Sequence, residues 1–273
     1  MAGRPAITSP RSSRVVAARR LATRSFRAKQ RLFLAEGPQA VREAAGHPAG
    51  IAELYFTQAA ADRHPELIDA AYAAGAALLP TTDEVVASLS DTVHPQGMVA
   101  VCRYLDTALS DALSAPARLV VLLAHVRDPG NVGSVIRAAD AAGADAVLVS
   151  GESVDVYNPK AVRASVGSLF HLPIVIGVSV ESAIEQCRAA GLRVLAADGS
   201  GPLDLDDEAD SGALRAPTCW LFGNEAWGLP EELRTLADAV VRVPIHGRAE
   251  SLNLSTAAAV CLYASARAQR RES

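Results

Sequence analysis

Phe222-Gly223-Asn224-Glu225-Ala226-Trp227-Gly228-Leu229-Pro230 is the stretch on which the reading of this chain turns. An apolar run, Cys219 to Leu221, leads into it, and Pro230-Glu231-Glu232 opens an acidic helix after it. Two glycines and a proline among nine residues predict a backbone held in turns that a side chain would obstruct. One carboxylate, Glu225, sits in the middle of the loop. In an α/β protein, a loop of this kind at the carboxyl end of a strand is where ligands bind.

Working outward, the second half alternates apolar strand candidates with helices. Strands are predicted at 118–124, 145–150, 172–176, 192–197, 218–222 and 239–244. Helices are predicted at 131–142, 159–168, 180–190, 230–237 and 252–270. Near-continuously apolar strands between helices predict a parallel sheet covered on both faces. The first half is less regular. A basic helix over Pro10–Lys29 follows a disordered start (1–10), then strands at Leu32–Glu36, Ile51–Phe56, Ala77–Leu79 and Met98–Tyr104 with helices between. The domains expected are a basic arm (1–30), a small α/β domain (31–105), a linker (106–117) ending in Pro116, and a larger α/β domain (118–273).

Charge is unevenly spread. Residues 1–31 hold nine basic residues and no acidic one, so of the chain's 26 basic residues 17 remain against 30 acidic, a net of −13 on the body. A basic arm on an acidic body suits a phosphate backbone, and Arg27 and Arg31 are its residues nearest the folded domain. A solvated, frayed terminus is the alternative. An organellar transit peptide is discounted because Arg27 to Val41 runs straight into folded structure. The four cysteines are widely spaced without a C-x-x-C pair, and the six histidines are scattered, so no metal is expected. There is no run of the roughly eighteen apolar residues that a membrane span needs.

Two further segments carry motifs: Asp128-Pro-Gly-Asn131-Val-Gly133-Ser-Val-Ile-Arg137, and Pro244-Ile245-His-Gly247-Arg-Ala-Glu-Ser251-Leu252-Asn253-Leu-Ser255. The first lies between a strand and a helix, yet it completes neither G-x-G-x-x-G nor a P-loop. Alone it could be a helix start capped by Asn131 with Arg137 solvated.

The ordered set Asn-x-Gly-x-x-x-Arg, Phe-Gly-x-Glu-x-x-Gly-Leu and Pro-Ile-x-Gly-x-x-x-Ser-Leu-Asn-x-Ser resembles the SpoU/TrmH family of SPOUT RNA methyltransferases. Within it the chain is similar to the two-domain ribosomal-RNA ribose 2′-O-methyltransferases, the branch that includes thiostrepton-resistance enzymes. The resemblance covers Leu119 to about Ala268, with weaker support at Arg31–Arg42 and Ser88–Val101. It implies a SPOUT α/β domain with a deep trefoil knot behind an N-terminal domain like a ribosomal protein. It also implies S-adenosylmethionine as methyl donor, a ribose 2′-hydroxyl in RNA (23S ribosomal RNA above all) as acceptor, a homodimer and a cytoplasmic location.

Site residues follow from the same resemblance. Arg137, Asn131, Glu225, Ser251 and Asn253 would form the catalytic set. Gly223, Val243 and Leu252 would meet the cofactor through their backbones, and Ile245 would help line the adenine slot. Arg137 and Arg163, the latter in Tyr157-Asn-Pro-Lys160-Ala-Val-Arg163, would touch RNA, Arg163 at a phosphate. Each has a plainer alternative: Glu225 as a surface carboxylate, Ser251 and Asn253 as helix caps, Arg163 on a solvent-facing helix. A guanidinium keeps its proton under ordinary conditions, so activation of the 2′-oxygen by charge suits Arg137 better than proton removal. Trp227 fills a variable motif position and could shield cofactor or pack between subunits. The last helix presents Leu254, Ala258, Cys261, Leu262 and Ser265 at helical spacing, the expected dimer surface. A non-catalytic RNA binder and a nucleotide-dependent oxidoreductase are the rival classes. The joint presence of five polar motif residues speaks against the first, and the missing nucleotide fingerprint against the second.

Overall fold

The computed structural model describes residues 7–270. It divides into two compact units. One comprises the chain up to Leu105 together with Asp155–His171, and the other comprises Asp106–Val154 and everything from Leu172 onward.

The first unit is built on four strands, β1 (Leu32–Glu36), β2 (Ile51–Phe56), β3 (Ala77–Pro80) and β4 (Met98–Arg103), in the order β1-β4-β2-β3. β4 runs antiparallel to both β1 and β2, and β3 is parallel to β2. Alternation along β1 sends Leu34 into a core with Val15, Leu21, Tyr55 and Val99. Phe33 points to the other face, its ring 4.7 Å from Tyr157 and 5.9 Å from Phe170. Both faces are therefore covered, one by the N-terminal helices Ser13–Arg19 and Arg24–Gln30, the other by the 155–171 segment. The strand–helix alternation predicts that segment inside a single domain running from 118 to 273. It packs with the first unit because Tyr157 stacks on Tyr104 at 3.9 Å and its hydroxyl accepts the Leu105 amide at 2.7 Å.

Residues 1–6 of the start expected to be disordered lie outside the described residues. Ile7 is ordered, with its amide on the Pro80 carbonyl at 2.8 Å. The expected single basic helix is two helices joined by a 3-10 turn at Arg20–Ala22. The expected linker contains a short helix, Leu109–Ala112.

The second unit carries a seven-stranded sheet in which every strand pair is parallel. Its strands are β5 (Leu119–Leu123), β6 (Ala146–Ser150), β7 (Ile174–Val178), β8 (Arg193–Ala197), β9 (Leu203–Asp204), β10 (Thr218–Phe222) and β11 (Ala239–Arg242), ordered β7-β6-β5-β10-β8-β11-β9. Apolar side chains fill both faces, as the continuous apolar runs require. Val120, Leu122, Leu148, Val194 and Leu221 meet Ala183, Ile184 and Cys187 of helix Val180–Ala189 on one side. On the other, helices Pro129–Ala142 and Leu254–Arg270 pack together, and the Trp220 indole N–H donates to Ser265 Oγ at 2.9 Å.

That last contact corrects the expected dimer surface. Ala258, Cys261, Leu262 and Ser265 are each 0% exposed because they form the helix's inward face against its own sheet. Val260 and Tyr263 are the large apolar residues that this helix leaves exposed. The two-residue β9 and helix Leu205–Asp210 were not foreseen. The first is too short to show a period, and the second is mostly acidic.

Candidate active site

Parallel sheets bind ligands where the direction of strand succession reverses, beyond the carboxyl ends. Here that point lies between β5 and β10. From β5 the chain steps outward to β6 and β7, whereas from β10 it steps the other way, past β8 to β11. The loops leaving β5 and β10 lie side by side, tied by the Ala124 amide on the Phe222 carbonyl at 2.9 Å and by Asn224 Nδ2 on the His125 carbonyl at 2.8 Å.

The β10 loop is locked by its own backbone. Asn224 and Gly228 exchange N–H···O bonds of 2.8 and 2.9 Å, and a Cβ on Gly223 would stand 2.3 Å from the Gly228 carbonyl oxygen. Gly228 itself has φ +69°, a left-handed conformation that favours glycine. From the end of β8, Asp198 accepts the Leu229 amide at 3.4 Å and braces the far side. Burial alone would raise the Asp198 carboxyl, but hydrogen bonds from Ser200 and Leu229 and the Arg234 charge hold it below its ordinary range.

Glu225 is held rigidly by this frame. Its carboxylate accepts the Arg127 amide at 3.2 Å, the Asp128 amide at 3.1 Å and Asn131 Nδ2 at 3.1 Å. Partial burial pushes the carboxyl upward. The bonds from Asn131 and the backbone outweigh it and leave the group below its usual range, hence ionised at neutral pH. The cap of helix Pro129–Ala142 is Asp128, whose side chain accepts the Asn131 amide at 2.9 Å. Asn131 therefore sits inside the first turn with its side chain free for other work, not at the cap.

Asn253 completes the network and fills two roles at once. Its Oδ1 accepts the Ser255 amide at 2.9 Å, capping the last helix, while its Nδ2 donates to Asn131 Oδ1 at 3.1 Å. Donation thus runs in one direction, from Asn253 to Asn131 to Glu225. An open cavity of about 570 Å³ lies over these groups, lined also by Arg127, Asn224 and Trp227.

Other expected residues stand apart from this network. Ser251 is exposed, and no hydrogen bond draws it in among the described residues. Val243 and Leu252 are half-buried and Ile245 is exposed, all on a stretch (243–253) that carries no helix or strand. Arg137 is exposed, with no polar partner among the described residues. It follows Asn131 by six positions, about 9 Å along the helix axis and about 240° around it, so it serves a different face. Arg127 and Asn224 were missed: Arg127 lies just before the first motif and Asn224 at a variable position of the second, and no signal in the sequence marks them.

The arginines expected on RNA divide in three ways. Arg27 is 1% exposed. Its Nε and Nη2 meet Asp155 Oδ2 at 2.9 and 2.6 Å, and its Nη1 donates to the Leu21 and Ala22 carbonyls at 2.8 and 2.7 Å. It is a clasp inside the first unit and presents nothing to RNA. Arg31 is exposed and lies 4.7 Å over the Tyr104 ring. Arg163 is half-buried, 3.2 Å from Glu36 and 3.7 Å from Asp91.

Two asparagines and a carboxylate gathered at the switch point of a parallel sheet mark a ligand-binding site of an α/β protein, and comparison with known proteins gives the class. Residues 118–263 match the SpoU rRNA Methylase family and residues 12–100 the MRM3-like substrate binding domain; the chain belongs to the SpoU rRNA methylase family. Among curated relatives, the 23S rRNA (guanosine(2553)-2′-O)-methyltransferase RlmP of Bacillus subtilis is 32% identical over 259 residues, covering 94% of this chain and 97% of that protein. The AdoMet-bound rRNA methyltransferase from Sinorhizobium meliloti superposes with a TM-score of 0.83 at 32% identity, over 96% of this chain and 97% of that one. The SpoU methyltransferase AviRb from Streptomyces viridochromogenes, in complex with AdoMet, also gives 0.83 at 32%, over 96% and 100%. The substrate-domain match begins at residue 12, so most of the arm that the sequence reading set apart falls within it.

Proposed function

We propose that this chain transfers a methyl group from S-adenosylmethionine to the ribose 2′-hydroxyl of a nucleotide in RNA, most specifically 23S ribosomal RNA. The observation that carries the reading is the relay Asn253–Asn131–Glu225 at the switch point of a parallel sheet.

The residues present fit such a donor. The stretch 243–253 keeps its backbone out of helix and sheet, which leaves amides and carbonyls for an adenine edge. Ile245 and Leu252 supply apolar walls, and Gly223 brings the β10 loop close. Bound there, S-adenosylmethionine supplies an electrophilic methyl on a sulfonium. Glu225 is a fixed acceptor that orients the Asn131 amide. Asn131 and Asn253 position the ribose, and Ser251, outside the relay in this structure, would join them only with ligand bound. Arg137 would donate to the 2′-oxygen as negative charge develops, aligning it and stabilising the charge, while the hydroxyl proton would pass to solvent water and S-adenosylhomocysteine would leave.

Arg137 does not share the face of Asn131, and a two-fold dimer explains how it still reaches a cleft. Ala141 lies one turn beyond Arg137 on the same face, and the Tyr263 hydroxyl donates to the Ala141 carbonyl at 3.4 Å. Exposed Val260 and Tyr263 then form the self-complementary patch, which carries Arg137 to the partner's cofactor cleft. The knot implied by the resemblance belongs to the same reading. Insertion of β10 between the earlier strands β5 and β8 supports a re-threaded chain end. Among the described residues no helix is long and apolar enough to cross a membrane, and a ribosomal-RNA substrate puts the enzyme in the cytoplasm. Arg31 and Arg163 remain the proposed RNA contacts of the first unit, Arg163 not at a phosphate, because Glu36 and Asp91 already meet its charge.

Mapping 2′-O-methyl positions in total RNA with and without the gene tests this directly. One 23S site lost on deletion and restored by the purified protein with S-adenosylmethionine is expected. A change confined to transfer RNA would overturn the substrate, and calorimetric binding of NAD in place of S-adenosylmethionine would overturn the class. Light scattering should give a dimer mass at micromolar concentration.

A further inference from the structure

The first unit holds a second cavity, about 320 Å³, which none of the three motifs touches. That is near the low end of the roughly 300–1,000 Å³ typical of ligand pockets. Its floor is apolar, formed by Ala40, Met98 and Val162, and its rim is polar. Glu36 anchors one wall, its oxygens accepting the Ser90 hydroxyl, the Asp91 amide at 3.1 Å and Arg163 Nη1 at 3.2 Å. With a longer contact from the Thr92 hydroxyl at 3.5 Å, those bonds occupy Glu36 as an acceptor. By contrast His94 and Gln96 line the cavity with no hydrogen-bond partner among the described residues. Gln96 comes close to Gly37, where a Cβ would stand 2.8 Å from its Oε1. Gly37 has φ +87°, so the glycine both makes that turn and clears the space.

Val166 gives an independent pointer. It ends helix Pro159–Ser165 at φ 51°, in the left-handed region where a β-branched residue is strained and glycine is usual. Its side chain is 44% exposed and lines the same cavity. A strained apolar residue kept in solvent at a cavity edge is explained by what it meets there. Charge decides the ligand class. Glu36 and Asp91 place two carboxylates around the single Arg163, which disfavours a phosphate. An apolar floor, a neutral amide and an imidazole suit a flat, uncharged heterocycle.

We propose that this cavity receives one unstacked nucleobase of the substrate RNA. The base packs on Met98, Val162 and Val166, and its edge is read by Gln96 and His94. The proposal rests on the ribosomal-RNA methyltransferase reading above. Sequence-specific RNA recognition works on splayed bases in loops and bulges. The wall formed by Val162, Arg163 and Val166 lies beyond residues 12–100, so the matched substrate-binding segment is incomplete without it.

The test uses the full chain and an unmodified 23S rRNA transcript. Wild-type methylation of that transcript is measured first, and its absence would sink the methyltransferase reading rather than this one. Transcript affinity is then measured across salt concentrations for the double variant His94→Ala with Gln96→Ala, and for Val166→Gly. Both are expected to bind roughly tenfold more weakly, the loss of about one good hydrogen bond or apolar contact. The slope of log affinity against log salt should stay unchanged, because no phosphate contact is removed. S-adenosylmethionine affinity should be unaltered, and the Val166→Gly melt should not fall. Unchanged RNA affinity in both variants, or a slope reduced by about one, would overturn the nucleobase assignment.

Discussion

Arg27 and Arg137 are the same residue in opposite circumstances. In the first unit, Arg27 is buried and both its side-chain ends are engaged, by Asp155 and by two carbonyls. In the second unit, Arg137 stands exposed on a helix with no polar partner among the described residues. A satisfied, buried arginine has spent its donors on structure. An unpaired one inside a family motif keeps all five for a substrate. The two units differ in the same sense. The first is closed by long-range side-chain clasps, whereas the second is closed by a continuous apolar sheet that leaves polar groups free at its carboxyl edge.

The largest effect expected from breaking this contrast is on stability. Arg27→Ala strands the Asp155 carboxylate in a buried site and should cost about 3–5 kcal/mol, read as a lower urea midpoint. Replacing Arg27 and Asp155 together by apolar residues should recover part of that loss. An unchanged midpoint for Arg27→Ala would show that the rings around Tyr157, not the ion pair, hold the 155–171 segment.

Arg137→Ala is the mirror experiment. Removing one donor aimed at developing charge lowers turnover roughly hundred- to thousand-fold, with the melt and S-adenosylmethionine affinity unchanged. Retained turnover would remove Arg137 from the chemistry. Mixing Arg137→Ala with a cleft-defective variant sharpens the test: partial recovery of activity in the heterodimer is expected if Arg137 serves the partner's cleft.

Next in size is Glu225→Gln, which keeps the shape but offers one acceptor oxygen where three donors converge. About tenfold slower turnover is expected, the cost of leaving one such donor poorly matched. The sign of its pH dependence follows from its depressed pKa. The native carboxyl titrates below its unfolded value, so its contribution is complete above the ordinary carboxylate range and is lost as pH falls through the native value. The wild-type rate should therefore show no Glu225 limb near neutrality. A limb there that vanishes in Glu225→Gln would make Glu225 a proton carrier and not an orienting group.

What the sequence could reveal divides along the same line. The members of the relay, though not its hydrogen bonds, were legible because each lies in a short contiguous motif of the family resemblance, and β10 was placed at its observed limits because Cys219 to Phe222 is an apolar run between turns. The fate of Arg27 was hidden, since its partner lies 128 residues away and a basic, acid-free stretch looks like a tether. Periodicity showed that Ala258, Cys261, Leu262 and Ser265 share one face. It could not show that this face is taken by the helix's own sheet and that Val260 and Tyr263 lie outside. The interruption of the second unit by 155–171 was equally invisible, because it depends on ring contacts with Phe33 and Tyr104 and not on any local pattern.

The two tryptophans repeat the contrast at the smallest scale. Trp220 is fully buried and bonded to Ser265, while Trp227 is 56% exposed on the locked loop at the mouth of the cleft. Trp220 belongs to the fold, and its emission should not respond to ligand. Trp227 lines the open cavity over the relay, so a ligand bound there should quench it. Trp227→Ala should weaken RNA or cofactor binding by about 1 kcal/mol, roughly fivefold, the low end for a base on an aromatic ring. The melt should be unmoved, because an exposed side chain contributes little burial. With only these two tryptophans in the chain, fluorescence titration of Trp227→Phe isolates the answer. If S-adenosylmethionine and RNA still quench that variant, the signal comes from the buried ring. Binding at the cleft would then reach the core behind it, and the separation drawn here between satisfied and free residues would fail at this point.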